Sequence, residues 1–432
     1  MRWALPAAVL FAALPALSPS ASRCRAEDLD GRIAKLVEEI TPSVIEWRRD
    51  FHAHPELSNR EERTGRVIAE RLREMGITEL RTGVAGHGVV ALVRGAKPGP
   101  TLGLRADIDA LPITEETGFE FASQNPGVMH ACGHDTHTAM LLGAAKVLLA
   151  LREEIHGTVK LIFQPAEEGA PPGEEGGAAL MIKQGVLKNP EVEAIFGLHV
   201  ATELPPGKIG YRHGGMLAAV DRFTVTVTGK QSHAAMPWQG VDPIVTTGHI
   251  LTAIQTIASR KIDARQPVVV SVGIIRAGEA WNIIPDDVHL EGTIRTHDAD
   301  VRKRAVAEFK RIVTQTAAAH GAEAEIVLDD YGPVTFNDPQ LVDRLKPSLA
   351  RVVGQENLVE VSPVMGGEDF AHYGREVPGC YVFLGARSSN PEAVHRLHHP
   401  KMMIDEAALP VGVRAHVSVA LDYLREAAAK EK

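Results

Sequence analysis

Cysteine is scarce in this chain, which has three cysteines among 432 residues. Disulfide-stapled scaffolds need a dense set of cysteines, so this count argues against a disulfide framework. Cys24 lies so close to the start that removal of an N-terminal leader would take it away. Cys132 and Cys380 would then remain, and one of the two needs a chemical reason to be present.

The chain also lacks an excess of positive charge. It has 46 Lys and Arg against 55 Asp and Glu, for a net charge of -9. No global positive field exists to hold a phosphate backbone, so no nucleic-acid partner is expected. Hydrophobic residues make up 44% of the chain. A chain of 432 residues with this composition exceeds one comfortable core, which predicts two packed domains.

Long apolar runs are missing as well. The longest one, Ala4–Leu17, is shorter than the roughly 20 residues of a membrane-spanning helix. It follows the basic Arg2 and precedes a run of small residues, which is the pattern of an export signal. We therefore predict a signal peptide over residues 1–26, cleaved near Ser22 or after Ala26. The mature protein is expected to be secreted or periplasmic, without a membrane span.

The middle of the chain predicts a compact unit with the element order βαββαβ. Strands are indicated by alternating or apolar segments, and helices by Asp242 and Asp298, which are good N-caps. The predicted elements are a strand from Phe223 to Val227, a helix after Asp242, strands over 268–275 and 288–296, a helix after Asp298 and a strand over 325–328. This order is that of a ferredoxin-like unit.

This unit interrupts a second domain. The flanking pieces alternate amphipathic helices with short apolar strands at 101–104, 159–163, 194–198 and 381–384, which predicts a layered α/β sheet. The resulting boundaries are 27–215 for the first part of this catalytic domain, 216–330 for the inserted unit and 331–432 for the second part. The sequence shows no internal repeats.

Polar side chains follow the apolar strands. Ligands of open α/β sheets bind beyond the carboxyl ends of the strands, so these residues are expected to share one site. The set comprises Arg105, Asp107 and Asp109, then Cys132, His134, Asp135 and His137, then Glu167 and Glu168, His199, and finally His398 and His399. Thiolate, imidazole and carboxylate donors of this kind bind Zn²⁺, Mn²⁺ or similar divalent ions.

Each of these residues has an ordinary explanation when taken alone. A lone buried cysteine is usually a small hydrophobe, and adjacent glutamates are usually solvated. A histidine at a strand end is often satisfied by hydrogen bonds, and aspartates often cap turns. These explanations are jointly weak, because several strand ends would each have to collect a metal-type donor independently.

The motifs resemble one known family, the M20 metallopeptidases, and within it the amidohydrolase branch of hippurate hydrolases, aminoacylases and auxin-conjugate hydrolases. The resemblance covers nearly the whole mature chain. It is carried by an ordered set of motifs: RADIDALP from Arg105, MHACGHDTHTAM from Met129, FQPAEEG from Phe163, GLH from Gly197, SHAAMP from Ser232, WNIIPD from Trp281, GTIRT from Gly292, GGEDF from Gly366 and LHHP from Leu397.

The resemblance implies a zinc-peptidase-like α/β catalytic domain with an inserted ferredoxin-like lid or dimerisation domain. It also implies two divalent metal ions per subunit, Zn, Mn or Co, which are bound by Cys132, His134, Glu168, His199 and His398. Other branches of the family carry a His-x-Asp metal motif where this chain has Arg105–Asp107. Asp107 is therefore expected to support the site rather than bind metal, and His398 rather than His399 is expected to be the ligand.

The resemblance further implies roles in catalysis. Glu167 is expected to shuttle the proton between water and the leaving amine. His233 is expected to donate to the oxyanion, from its own subunit or from the partner of a homodimer formed through the inserted unit. Asn282 and Arg295 resemble substrate-binding residues, and Arg295 suits a carboxylate. Both residues also have an ordinary explanation without any role in binding: Arg295 lies on an alternating strand face, and Asn282 lies near a turn.

The function implied by these residues is metal-dependent hydrolysis of N-acyl amino acids, hippurate-like or N-acetyl, to a carboxylic acid and a free amino acid. A related alternative is a deacetylase or dipeptidase that acts on peptide or cell-wall fragments. An alternative of another class is an amidase with Cys132 as the nucleophile. A binding protein without turnover is the third possibility, and the presence of Glu167 argues against it.

Overall fold

The computed structural model describes residues 19–430. Its strands are β1 (Leu80–Val84), β2 (Gly88–Arg94), β3 (Lys97–Asp107), β4 (His156–Gln164), β5 (Ala194–Ala201), β6 (Ile209–Tyr211), β7 (Gly214–Leu217), β8 (Ala219–Thr228), β9 (Ser232–His233), β10 (Val268–Ala277), β11 (Ile283–Ile284), β12 (Asp287–Thr296), β13 (Glu323–Gly332), β14 (Thr335–Asn337), β15 (Leu358–Glu360) and β16 (Gly379–Gly385). Its α-helices are α1 (Pro19–Ala53), α2 (Glu62–Glu74), α3 (His134–Ala150), α4 (Gly177–Lys183), α5 (Pro243–Ile254), α6 (Ala299–Ala319), α7 (Pro339–Val353), α8 (Ala371–Glu376) and α9 (Ala408–Lys430).

The larger sheet has eight strands in the order β1-β2-β4-β3-β5-β16-β6-β15. Its centre, β4-β3-β5-β16, is parallel, so the carboxyl ends of these strands lie at one edge. All four apolar segments predicted as strands are found here, each extended by a few residues. The layered α/β architecture predicted from the sequence is confirmed.

Helices cover both faces of this sheet, as the side chains of β5 illustrate. Phe196 and Leu198 belong to the larger hydrophobic core, which also contains buried residues of α1, α2, α3, α7 and α9. Ile195, pointing to the opposite face, belongs to a second core with Met181 of α4 and Tyr373 of α8. Buried strands of this kind read as continuous apolar runs rather than alternating ones.

The smaller sheet has the order β10-β12-β8-β13 and is antiparallel throughout. With α5 and α6 it gives the chain order βαββαβ, as predicted. Phe223, Val225 and Val227 of β8 are buried in a separate hydrophobic core with Ile250 of α5 and Phe309 of α6. The alternation of β8 is explained by this core, because the helices cover one face of the sheet only.

The chain leaves the larger sheet and returns to it through two paired strands. β7 precedes the smaller sheet and β14 follows it, and the two pair antiparallel. The inserted arrangement therefore has its entry and exit side by side. The exact boundaries at residues 216 and 330 stay predictions.

The predicted signal peptide falls largely on residues 1–18, which lie outside the described residues, so it also stays a prediction. Among the helices of residues 19–430, none combines the length and apolar character that a membrane span requires.

Candidate metal centre

The Met129–His137 motif forms a loop that enters α3 at the carboxyl edge of the larger sheet. Gly133 lies directly before α3 with φ of 89°, in the left-handed region that favours glycine. A Cβ at this position would lie 2.6 Å from Cγ2 of Val200 and 2.7 Å from Cδ1 of Ile404. This close approach places Cys132 and His134, on either side of the glycine, against the end of β5.

His134 is buried and presents one ring nitrogen. Its Nδ1 lies 3.0 Å from the carbonyl oxygen of Asp109 and 3.1 Å from Oδ1 of the same residue. This contact places the proton on Nδ1 and the lone pair on Nε2. Nε2 is buried and has no hydrogen-bond partner among the described residues, which is the condition of a nitrogen that suits a metal ion.

His199, at the end of β5, also has one ring nitrogen bonded and the other turned towards the cluster. Its Nδ1 donates to the carbonyl oxygen of Val200 at 2.8 Å, so Nε2 carries the lone pair. That Nε2 lies 3.4 Å from Sγ of Cys132. Cys132, His134 and His199 offer three potential ligand atoms that all lie within 4.8 Å of one another.

A second group of donors shares Cys132. Nε2 of His398 lies 3.2 Å from Sγ of Cys132 and 3.4 Å from Oε1 of Glu168. His398 has φ of 66° and its backbone N–H donates to the carbonyl oxygen of Ala131, which turns its ring towards the cluster. His399 instead stacks on the ring of His395, with 4.2 Å between centroids. The structure thus brings His398, and not His399, to the other predicted ligands.

Asp107 and His137 bond each other rather than face the cluster with free atoms. Nδ1 of His137 lies 2.5 Å from Oδ1 of Asp107, and Nε2 accepts a hydrogen bond from the N–H of Val200 at 2.9 Å. The other oxygen of Asp107 accepts from Arg105. Since both nitrogens of His137 are used, this residue supports the site, and Asp107 lies where a supporting residue is expected.

The electrostatics of the cluster suit a cation. Burial alone would lower the pKa of His134, but Asp107 and Asp109 outweigh burial and raise the pKa to about 10. Burial raises the pKa of the Cys132 thiol well above its usual range, and the Glu168 carboxylate raises it further. An activated nucleophilic cysteine needs a lowered pKa. Bound divalent cations would replace these protons, because metal ligands bind in their deprotonated form.

Glu167 lies beside this cluster. One of its carboxylate oxygens is 3.7 Å from Nε2 of His134. Burial raises the pKa of Glu167 well above its usual range, with further contributions from the carboxylates of Glu368 and Glu168. A carboxylate with a raised pKa can both accept and return a proton near neutral pH, which is what a proton shuttle requires.

A buried ionic network, which the sequence analysis missed, lies behind Glu167. The guanidinium of Arg105 is 3.0 Å from Oε1 of Glu368 and 2.8 Å from Oδ1 of Asp369. The hydroxyl of Tyr381 donates to Oε2 of Glu368 at 2.5 Å. The GGEDF motif signalled the acidic pair, but only the fold shows that Arg105 neutralises it close to Glu167.

A cavity of about 570 Å³ opens in front of the cluster. Arg295 of β12 reaches it from the smaller sheet, so this predicted substrate-binding residue lies with the predicted ligands. His233 and Asn282 are not among its lining residues. His233 is exposed in β9, and Asn282 lies close by, where its carbonyl oxygen accepts from the N–H of Ala234.

Comparison with known proteins places this site in a family. A "Thermostable carboxypeptidase 1" of Saccharolobus solfataricus is 41% identical over 398 residues, which cover 92% of this chain and 99% of the relative. An "N-acyl-L-amino acid amidohydrolase" of Geobacillus stearothermophilus is 46% identical over 307 residues, covering 71% of this chain and 81% of the relative.

A solved structure and a family match agree with these relatives. The crystal structure of a Bacillus subtilis protein described as a dinuclear metal-binding peptidase of the M20 family matches with a TM-score of 0.77 and 37% identity, over 90% of this chain and 99% of that one. The sequence model of peptidase family M20/M25/M40 matches residues 103–422. This chain therefore belongs to peptidase family M20/M25/M40 and is a hydrolase of linear amides.

Proposed function

We propose that this enzyme hydrolyses the amide bond of N-acyl amino acids and releases a carboxylic acid and a free amino acid. The observation that carries the proposal is the contact between a cluster of metal-type donors, the adjacent Glu167 and a cavity that Arg295 also lines. The similarity to the N-acyl-L-amino acid amidohydrolase supports the choice of substrate.

Five residues fit the role of ligands to two divalent ions: Cys132, His134, Glu168, His199 and His398. The orphaned Nε2 of His134 and the mixture of sulfur, nitrogen and oxygen donors support this assignment. Divalent ions bound here would lower the pKa of water and polarise the scissile carbonyl. Sulfur and imidazole favour Zn²⁺ or Co²⁺, whereas the carboxylate also suits Mn²⁺.

Glu167 then transfers the proton. It takes a proton from the attacking water and delivers it to the nitrogen of the leaving amine, which could not depart as an anion. The network of Arg105, Glu368 and Asp369 holds fixed charge behind Glu167.

The lining of the cavity offers partners for both halves of the substrate. Its lining includes apolar side chains that suit an acyl group: Leu204, Leu217, Val361, Val364, Phe383 and Leu397. Arg295 suits the carboxylate that every N-acyl amino acid carries, since a guanidinium can bind it in bidentate fashion. Together they favour substrates with an apolar acyl group and a free α-carboxylate.

His233 and Asn282 are assigned to a homodimer in this proposal. In one chain His233 is exposed and outside the cavity lining, so a second copy of the chain would bring this imidazole to the oxyanion. The inserted unit supports such a contact through its exposed edge strand β10 and the exposed Trp238 and Trp281. A water-excluded donor to the oxyanion contributes about 3–4 kcal/mol to catalysis.

We also propose that the enzyme acts outside the cytoplasm after removal of residues 1–26. The basic, apolar and small-residue segments of this leader support export.

A carboxypeptidase or dipeptidase activity is the second candidate. The carboxypeptidase relative matches nearly its whole length to this chain. Both activities cut an amide bond next to a free carboxylate, so the same site serves either. The bulk and polarity of the acyl side distinguish the two.

The experiment is hydrolysis of a substrate panel by the enzyme as purified, after chelation, and after addition of Zn²⁺, Mn²⁺ or Co²⁺. The panel contains N-benzoyl, N-acetyl and indole-acyl amino acids together with dipeptides. We expect activity to vanish on chelation and to return with metal, with N-acyl amino acids preferred over dipeptides. Activity that survives chelation but is lost on thiol alkylation would instead make Cys132 a nucleophile.

A further inference from the structure

The two glutamates of the FQPAEEG motif follow a strained turn. Ala166, the residue before Glu167, has φ of 54°. A non-glycine residue in this left-handed region is uncommon, and it persists where the surroundings hold it in place. Ala166 is buried, so the source of that constraint lies inside the protein.

Glu61 supplies one constraint. The backbone N–H of Ala166 donates to Oε1 of Glu61 at 2.8 Å, across 105 residues of chain. Glu61 is fully buried. A buried carboxylate that accepts from a backbone N–H next to a catalytic residue fixes the direction in which that residue leaves the turn.

Glu61 is available for this contact because another residue caps its helix. It occupies the N-cap position of α2, but its side chain makes no capping hydrogen bond. Glu56 instead accepts from the N–H groups of Arg63 at 3.0 Å and Thr64 at 2.8 Å. Two N–H groups of the first turn of α2 are thus satisfied without the Glu61 side chain, whose hydrogen bond to Ala166 lies outside its own helix.

Asp109 supplies a matching constraint on the other side. Its Oδ2 accepts from the backbone N–H of Glu168 at 2.9 Å, while its Oδ1 lies 3.1 Å from Nδ1 of His134. The N–H groups on either side of Glu167 are therefore each held by a buried carboxylate. One belongs to Asp109, which also contacts the candidate ligand His134, and the other belongs to Glu61.

We propose that Glu61 is a positioning residue for the proton shuttle, which holds the Ala166 turn so that Glu167 points at the reacting water and Glu168 at the metal cluster. The effect on turnover rests on the function proposed above. The effect on the turn itself does not, because it follows from the contact between Glu61 and Ala166 alone.

The protonation of Glu61 provides a conservative variant. Burial raises its pKa to about 8, with a further contribution from Asp109, so a neutral replacement is a mild change. Glutamine has the same shape, is neutral and keeps a carbonyl oxygen for the Ala166 N–H. Leucine fills the volume but accepts no hydrogen bond.

The test compares Glu61→Leu, Glu61→Gln and the control Glu62→Gln, which changes the exposed neighbour on α2. We expect Glu61→Leu to lower kcat about 10- to 100-fold, in line with the cost of a displacement of about 1 Å. KM should change less than kcat, and the metal content should be retained. Glu61→Gln and Glu62→Gln should stay close to the wild type.

Hydrogen exchange gives a readout without substrate. In Glu61→Leu, exchange should accelerate at the amides of residues 166–168 and not across the whole protein, whereas Glu61→Gln should show wild-type protection. Unchanged kcat and exchange in Glu61→Leu would overturn the proposal. So would a global loss of protection and of metal in both Glu61 variants, which would indicate a role in stability alone. If the wild type cleaves no N-acyl amino acid, the proposed function fails, and local exchange still decides the positioning role.

Discussion

Two histidines of the cluster present the same ring nitrogen because their other nitrogen is already bonded. His134 and His199 each use Nδ1 for a carbonyl oxygen and turn Nε2 towards the cluster. His137 differs, since Asp107 and the N–H of Val200 occupy both of its nitrogens. The sequence alone does not distinguish these three histidines. Their hydrogen bonds show which are candidate metal ligands and which one supports the site.

Replacement of Glu167 by Gln tests its assignment as the proton shuttle. Glutamine keeps the shape of the side chain but cannot accept and return a proton, so kcat should fall about 10²- to 10⁴-fold. Metal content, measured by elemental analysis, should stay at the wild-type level. Glu175→Gln, a change of an exposed glutamate in the following loop, is the control. A metal-replete Glu167→Gln enzyme with normal turnover would contradict the assignment.

At the scale of elements, local sequence patterns predicted those strands and helices that depend on local interactions. The alternation around Phe223 predicted β8, and the caps Asp242 and Asp298 predicted the starts of α5 and α6. The short strands β6 and β15 were not predicted, since three residues carry too little periodicity to distinguish a strand from a loop.

Removal of one cap tests how much it contributes to the smaller sheet and its helices. Oδ1 of Asp298 accepts from the N–H groups of Asp300 and Val301 at the start of α6. Asp298→Ala should lower the free energy of unfolding by about 1 kcal/mol, whereas Asp298→Asn should cost less because it can still cap. Denaturant unfolding measures both variants. Equal stability of Ala, Asn and wild type would show that the cap is dispensable.

Contacts between distant parts of the chain escaped prediction. Arg105 meets Asp369 across 264 residues, and Ala166 meets Glu61 across 105. Periodicity and capping describe neighbours along one element and carry no information about which buried charges meet. The predicted ligands could be named from the sequence only through the family resemblance, and the residues that orient them required the fold.

At the scale of the whole molecule, residues of both sheets line one cavity, and the smaller sheet has two exposed edge strands. The smaller sheet ends in β10 on one side and β13 on the other. Both carry exposed apolar residues, Ile275 at 52% and Val327 at 49% exposure. An unprotected edge strand is a template for pairing with another chain.

The proposed dimer is tested by introducing a lysine on each edge strand of the smaller sheet in turn. Ile275→Lys on β10 should shift the protein towards monomer in light scattering coupled to size exclusion. The catalytic activity should fall with it, if His233 acts across the interface. Val327→Lys on β13 is the matched control and should leave the mass unchanged. A monomeric wild type with full activity would reject the dimer, and loss of the dimer only in Val327→Lys would move the interface to the other edge.

The position of β16 between β5 and β6 has a consequence for the order of synthesis. The middle of the larger sheet, the core residues of α9 and His398 all come from the last part of the chain. A ribosome that has made only the first 370 residues has therefore produced neither the complete larger sheet nor the complete set of donors. Hydrolysis therefore requires the polypeptide to be made at least as far as His398, because this residue completes the set of donors.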